Sequence, residues 1–175
     1  GLMRDVLRVL VREGRPLVRA IELLNDVMLE SGDPLQFATL AAALVTMRES
    51  AGGGRELEVQ LVLAGHLQPV VVRSNGTAEL IGSFGTAVGL VPTVHLECTQ
   101  HRLEPGDTLL VYTDGVTERR RGIEQFGSAR LLAAAAAAAG GTAAGVIEAT
   151  REAVERFSAE PMDDDVALLA VRAAP

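Results

Sequence analysis

The sequence has no tryptophan, one tyrosine, four phenylalanines and one cysteine in 175 residues. With aromatics at 3% of the chain, a core has to be built from Leu, Val, Ile and Ala. A single cysteine, Cys98, excludes an internal disulfide, so a reducing cytoplasm is the expected compartment. Its alternating apolar surroundings predict a packed thiol. Basic charge is also short. There are 16 Lys and Arg against 23 Asp and Glu, a formal net charge of −7, which speaks against a nucleic-acid partner. The short stretch Arg119-Arg120-Arg121 reads as a solvated helix face or turn. No apolar run reaches bilayer length, Ala133 to Ala139 being far too short, so no membrane insertion is expected; no signal-peptide pattern is visible either. Cys/His clusters, a phosphate-cradling P-loop and a strong serine-nucleophile motif are all lacking.

What remains is a globular composition, 48% hydrophobic and 22% charged, in a length that suits one domain over residues 1–175. Leu2, Met3, Val6, Leu7 and Leu10 recur at helical spacing, and Gly14 ends that helix. Pro16 suits the first turn of a second helix with an apolar stripe of Leu17, Ile21, Leu24 and Met28, closed by Ser31-Gly32-Asp33-Pro34. The period then changes. Phe37 to Met47 is almost continuously apolar and predicts a fully buried strand. Ala51 to Gly54 reads as a flexible turn, and Leu57, Val59, Leu61 and Leu63 alternate as a half-buried strand. Asn75-Gly76 between Val70–Arg73 and Thr77–Ile81 signals a hairpin with positive φ at both turn residues. Val94, Leu96 and Cys98 alternate, Pro105-Gly106 turns, and Thr108 to Tyr112 reads as a buried strand. Phe126 to Ala139 and the stripe Ala143, Val146, Ile147, Thr150, Val154, Phe157 predict two helices before a last strand, Val166 to Val171. Helices segregated from hairpin-linked strands predict an α+β layered fold with antiparallel sheets.

The chemistry-bearing residues are carboxylates at strand ends. Asp114-Gly115 follows one strand, and Asp163-Asp164-Asp165 precedes another. An Asp-Gly pair after a strand is ordinary turn chemistry, and an acidic triplet can be a solvated guard on an aggregation-prone strand. The alternative is a hard-cation site, because Mg²⁺ and Mn²⁺ take oxygen ligands and keep several waters. If the two strands are neighbours, Asp114 and Asp164 reach the same sheet edge, where metal ions can clamp a phosphate and activate water.

Several segments, in order, resemble one family. They are Phe37-Ala38-Thr39-Leu40, Ala64-Gly65-His66 with Pro69, and Ala87-Val88-Gly89-Leu90. Leu103 to Asp107, Tyr112 to Glu118, Phe126-Gly127 with Leu131, and Asp164-Asp165-Val166 with Leu168-Leu169 complete the set. Together they resemble the RsbU-like, stage II sporulation E-type branch of the PPM (protein phosphatase type 2C) phosphatases. The Tyr-Thr-Asp-Gly segment with the terminal Asp-Asp strand is the specific part. The resemblance implies an αββα sandwich of two antiparallel sheets flanked by helix pairs. It also implies a binuclear Mn²⁺ or Mg²⁺ centre whose bridging water attacks the phosphorus of phosphoserine or phosphothreonine. Carried over, Asp114 and Asp164 match catalytic metal-ligand positions, and Asp165 is a neighbouring candidate ligand. His66 and Asp107 are expected to be structural, and Ala167 stands where the family often has Thr.

The family also opens with two aspartate-bearing motifs, like GGDxxD and DVSGHG, that this sequence does not show. Asp5 and Asp26 lie within helices and do not fill those roles. The expectation is an N-terminally incomplete phosphatase domain that continues upstream, with a degenerate, non-catalytic binding module as the alternative. The family's usual partners, a phosphorylated anti-sigma-factor antagonist and an upstream sensor domain, are implied likewise. The paired opening helices resemble the family's regulatory and homodimer surface.

Overall fold

In the computed structural model the described residues are 2–30, 37–49, 55–159 and 164–174. In chain order the elements are α1 (Leu2–Arg12), α2 (Leu17–Glu30), β1 (Leu40–Glu49), β2 (Arg55–Ala64), β3 (Val70–Val72), β4 (Ala78–Leu80) and β5 (Cys98–Leu103). They continue as β6 (Thr108–Tyr112), α3 (Asp114–Thr117), β7 (Arg120–Arg121), β8 (Glu124–Gln125), α4 (Gly127–Ala137), α5 (Ala143–Phe157) and β9 (Leu168–Arg172). The fold is mixed helix and antiparallel sheet, as the sequence predicts. The predicted turns Ser31 to Pro34 and Ala51 to Gly54, and Asp163 of the acidic triplet, lie outside the described residues.

One sheet has three strands in the order β1-β2-β5 and another has four, β4-β3-β6-β9; β7 and β8 form a separate hairpin. The chain divides into two compact units: residues 1–45, 59–68 and 82–101, and residues 46–58, 69–81 and 102–175.

In the first unit the helical spacing works as predicted. Leu17, Ile21, Leu24 and Met28 of α2 pack on Val62, Ala64 and Val88. Full burial of such side chains contributes about 1.5–3 kcal/mol each. Asn25, on the same helix, is only 1% exposed. Its side-chain carbonyl accepts the Gly89 N–H at 2.8 Å and its amide donates to the Val91 carbonyl at 3.0 Å, which ties the 89–91 loop to α2.

Two expectations fail around the three-stranded sheet. The apolar run from Phe37 is not a fully buried strand: Phe37 lies outside β1, and Leu44, Val45 and Met47 are exposed, Met47 by 66%. β1 is an outer strand in the sheet order, and an apolar run alone does not report whether a layer covers it. Cys98 is exposed rather than packed. The strand begins only at Cys98, and its alternation turns Thr99, His101 and Leu103 inward. Period-two geometry therefore puts Cys98 on the outer side.

In the second unit, β3 pairs with β4 and β6, and β6 with β9, all antiparallel. The β3–β4 hairpin forms where Asn75-Gly76 predicts it, but only Gly76 has positive φ, at 92°. The Gly76 N–H donates to the Arg73 carbonyl and the Arg73 N–H to the Thr77 carbonyl. The connection is thus a three-residue loop, in which a turn is followed by one glycine in the left-handed region and a single residue carries the strain. Thr142 caps α5 by accepting the Gly145 N–H; of the predicted stripe, Val146, Thr150, Val154 and Phe157 are buried and Ala143 and Ile147 half-buried. The arginine run is not a uniformly solvated face. Arg119 is 7% exposed and donates to the Ser158 carbonyl at 2.9 Å. Arg121 and Arg130 lie over the Phe157 ring at 4.7 and 4.9 Å, a cation–π pairing that fixes the β7–β8 hairpin.

Candidate functional site

The site is built by the β6–β9 pair. Tyr112 stands opposite Leu168 at the end of the ladder, and the Thr113 N–H adds one more rung to the Ala167 carbonyl at 3.1 Å. Beyond that rung Asp114 opens α3 on one side, and Asp164-Asp165 lead into β9 on the other. The neighbouring strands therefore bring Asp114 and the acidic segment to one sheet edge, as the sequence reading required.

Two devices hold that edge closed. The Thr113 hydroxyl donates to the Asp165 carbonyl at 2.9 Å and accepts the Ala167 N–H at 2.8 Å. Gly115 is buried, and a Cβ built on it would fall 2.6 Å from the Asp165 carbonyl oxygen. Glycine is required here for close approach of two backbones, not for an unusual φ. The sequence reading placed Thr113 and Gly115 in the Tyr-Thr-Asp-Gly segment but gave neither a role of its own. The available signal was their position, flanking an aspartate at the end of a buried strand.

Asp114, Asp164 and Asp165 are all exposed. Among the described residues the Asp114 carboxylate accepts only the adjacent Gly115 N–H, at 3.0 Å, and the Asp164 carboxylate only the adjacent Asp165 N–H, at 2.7 Å. Among the described residues no cation pairs with either. Asp165 contributes through its main chain, its carbonyl being the Thr113 acceptor. The other sequence candidates behave structurally. Asp107 is 2% exposed, accepting the Ser74 N–H on one oxygen and the Glu104 N–H and Arg73 guanidinium on the other. Arg73 is correspondingly raised above its ordinary value; burial opposes this but is outweighed by hydrogen bonds to Asp107 and Glu79. The His66 ring lies 3.1 Å from the neighbouring Leu67 carbonyl.

The donor chemistry at the edge suits a hard divalent cation: oxygen only, solvent-accessible and not spent on ion pairs. Mg²⁺ is commonly held by one or two carboxylates plus waters and substrate phosphate, so the pair fits such an ion in kind. Among the described residues no group of three or more His, Cys, Asp or Glu could enclose one.

Protein IcfG of Synechocystis is 27% identical over 156 residues, 88% of this chain but 24% of that protein, so the chain spans about a quarter of that relative's length. The RsbU and RsbW domains of a Mycobacterium tuberculosis protein match in structure with TM-score 0.72 and 23% identity, over 99% of this chain and 46% of that one. The phosphatase domain of SpoIIE from Bacillus subtilis, presoaked with Mn, matches with TM-score 0.67 and 16% identity, over 98% of this chain and 73% of that one. A longer SpoIIE piece, with its PP2C phosphatase domain and a fragment of its regulatory domain, reaches 0.79 at 15% identity, over 98% and 48%. At these identities the structures establish the fold, that of the PP2C phosphatases. The model of one family, described as stage II sporulation protein E (SpoIIE), matches residues 1–174, and the chain belongs to that family.

Proposed function

We propose that the chain is the core of a metal-dependent serine/threonine protein phosphatase, acting as one domain over residues 1–175. The observation that carries this reading is the placement of two exposed aspartates, Asp114 and Asp164, at the same end of the β6–β9 ladder, neither paired with a cation among the described residues. It stands within a family and fold of phosphatases. Asp114 and Asp164 would hold a Mn²⁺ or Mg²⁺ ion, with Asp165 the weaker neighbour, and would share it with further carboxylates that the described residues do not supply. When bound, such an ion supplies charge neutralisation at a phosphoryl group and an acidified water. The chain's own contribution is to hold two carboxylates at a wet edge, fixed by the Thr113 hydroxyl and the Gly115 approach, with no competing cation beside them among the described residues.

The substrate we infer is phosphoserine or phosphothreonine on an anti-sigma-factor antagonist. The match to RsbU and RsbW domains and to SpoIIE, whose solved piece includes part of a regulatory domain, supports a regulatory setting of that kind. An upstream sensor domain and a homodimer contact through α1 and α2 belong to the same reading, as does a cytoplasmic location. Among the described residues no helix is long and apolar enough to cross a membrane. The test is hydrolysis of p-nitrophenyl phosphate by the full-length protein, with Mn²⁺ and with a chelator. Turnover that needs Mn²⁺ and stops on chelation supports the reading. Turnover indifferent to chelation, or none with Mn²⁺, contradicts it.

A further inference from the structure

We infer that Thr113 is a positioning residue for the cation site, setting its affinity by clamping the Asp164–Asp165 turn against the end of β6. The inference rests on the reading of Asp114 and Asp164 as ligands. Thr113 occupies the N-cap position of α3, with φ −89° and ψ 160°. A threonine there ordinarily turns its oxygen onto the helix's own free N–H groups. Here it makes no such bond. The hydroxyl is spent across the edge instead, on the Asp165 carbonyl and the Ala167 N–H. These two partners bracket the turn into β9 and lie one and three residues after Asp164. One side chain thus fixes the start of β9 to the residue immediately before Asp114.

Gly115 approaches the same carbonyl closely. A Cβ at Gly115 would meet the Asp165 carbonyl oxygen at 2.6 Å and its carbonyl carbon at 3.1 Å. The segment bearing Asp164 is therefore held by the two residues on either side of Asp114. Local capping of a four-residue helix has been given up for a contact that relates the two candidate ligands. Groups that orient a metal ligand without touching the ion typically change affinity by about 10–100-fold when removed.

The experiment is Mn²⁺ titration of the full-length protein, followed by the electron paramagnetic resonance signal of free Mn²⁺. The variants are Thr113→Val, Thr113→Ser and Asp114→Asn, with melting temperatures recorded alongside. Thr113→Val keeps the shape and removes the hydroxyl, and should weaken Mn²⁺ binding about 10-fold or more. Thr113→Ser should restore it to within about twofold, because a hydroxyl that both donates and accepts is retained. A folded Thr113→Val that binds Mn²⁺ like the wild type, while Asp114→Asn does not bind, overturns the clamp and leaves the site. Unchanged binding by Asp114→Asn overturns the site itself. If Thr113→Val does not fold, the wild type decides. Saturating Mg²⁺ should then slow hydrogen exchange at the Ala167 amide, because an ion that binds only the clamped turn makes its opening rarer. Exchange unaffected by Mg²⁺ overturns the inference.

Discussion

Asp107 and Asp114 bracket β6 and differ in what holds them: Asp107 is 2% exposed with both oxygens bonded, two of its donors being the Ser74 N–H and the Arg73 guanidinium. Asp114 is exposed, and among the described residues its carboxylate takes only the neighbouring Gly115 N–H. The contrast separates a carboxylate used for folding from one left available for chemistry. Asp107→Ala should therefore destabilise the chain by about 2–4 kcal/mol, since it leaves the Ser74 and Glu104 N–H groups without their acceptor and removes one of the Arg73 guanidinium's partners, Glu79 being retained. Denaturant melts should show that loss, and a loss below about 0.5 kcal/mol would refute the assignment.

Asp114→Asn and Asp164→Asn should do the reverse. Each removes an exposed carboxylate with no cation partner among the described residues, so stability should change by less than about 0.5 kcal/mol. Mn²⁺-dependent phosphate release should fall by two orders of magnitude or more. Large destabilisation without loss of turnover would place both residues in the scaffold.

Gly115→Ala adds one methyl group to a position with no room for it, 2.6 Å from the Asp165 carbonyl oxygen. The neighbouring backbone must shift, at a cost of roughly 1–3 kcal/mol. Thermal melts compare it with the wild type; an unchanged melting temperature would mean the two backbones are further apart than described.

Glu124 gives a pH prediction. Hydrogen bonds from Arg121 and then Arg130 hold its carboxyl below the ordinary value of 4.5. A group depressed on folding contributes stability above its unfolded value and loses it as pH falls through the folded one. The wild type should therefore melt above Glu124→Gln near neutrality, with the difference closing as pH drops below about 4.5. The pair is exposed, so salt should narrow the difference at neutral pH too. A gap that persists in acid would mean that packing, not charge, is responsible.

Much of the fold was legible because helical and alternating periods survive where one face is buried, as in Leu17 to Met28 and Leu57 to Leu61. The failures share a cause. Phe37 to Met47 and Cys98 were judged from local pattern, but their exposure depends on where a strand sits in its sheet and where its alternation begins. Arg119 was grouped with its neighbours, yet burial selects it alone. That Asp114 and Asp164 flank neighbouring strands was open to a sequence reading, because β6 and β9 are each marked by an apolar run next to the acidic residues. The roles of Thr113, Gly115 and Asn25 were not, because they lie in contacts with residues 167, 165 and 89 that no short-range pattern encodes.

The central claim is that Asp114 belongs to the phosphate-hydrolysing centre. It is tested most directly by phosphate release from a phosphoserine-bearing anti-sigma-factor antagonist, using the full-length protein and its Asp114→Asn variant with saturating Mn²⁺. The account predicts turnover in the wild type and a loss of at least about 100-fold in a variant that melts at the same temperature. Equal rates in the two proteins would contradict it.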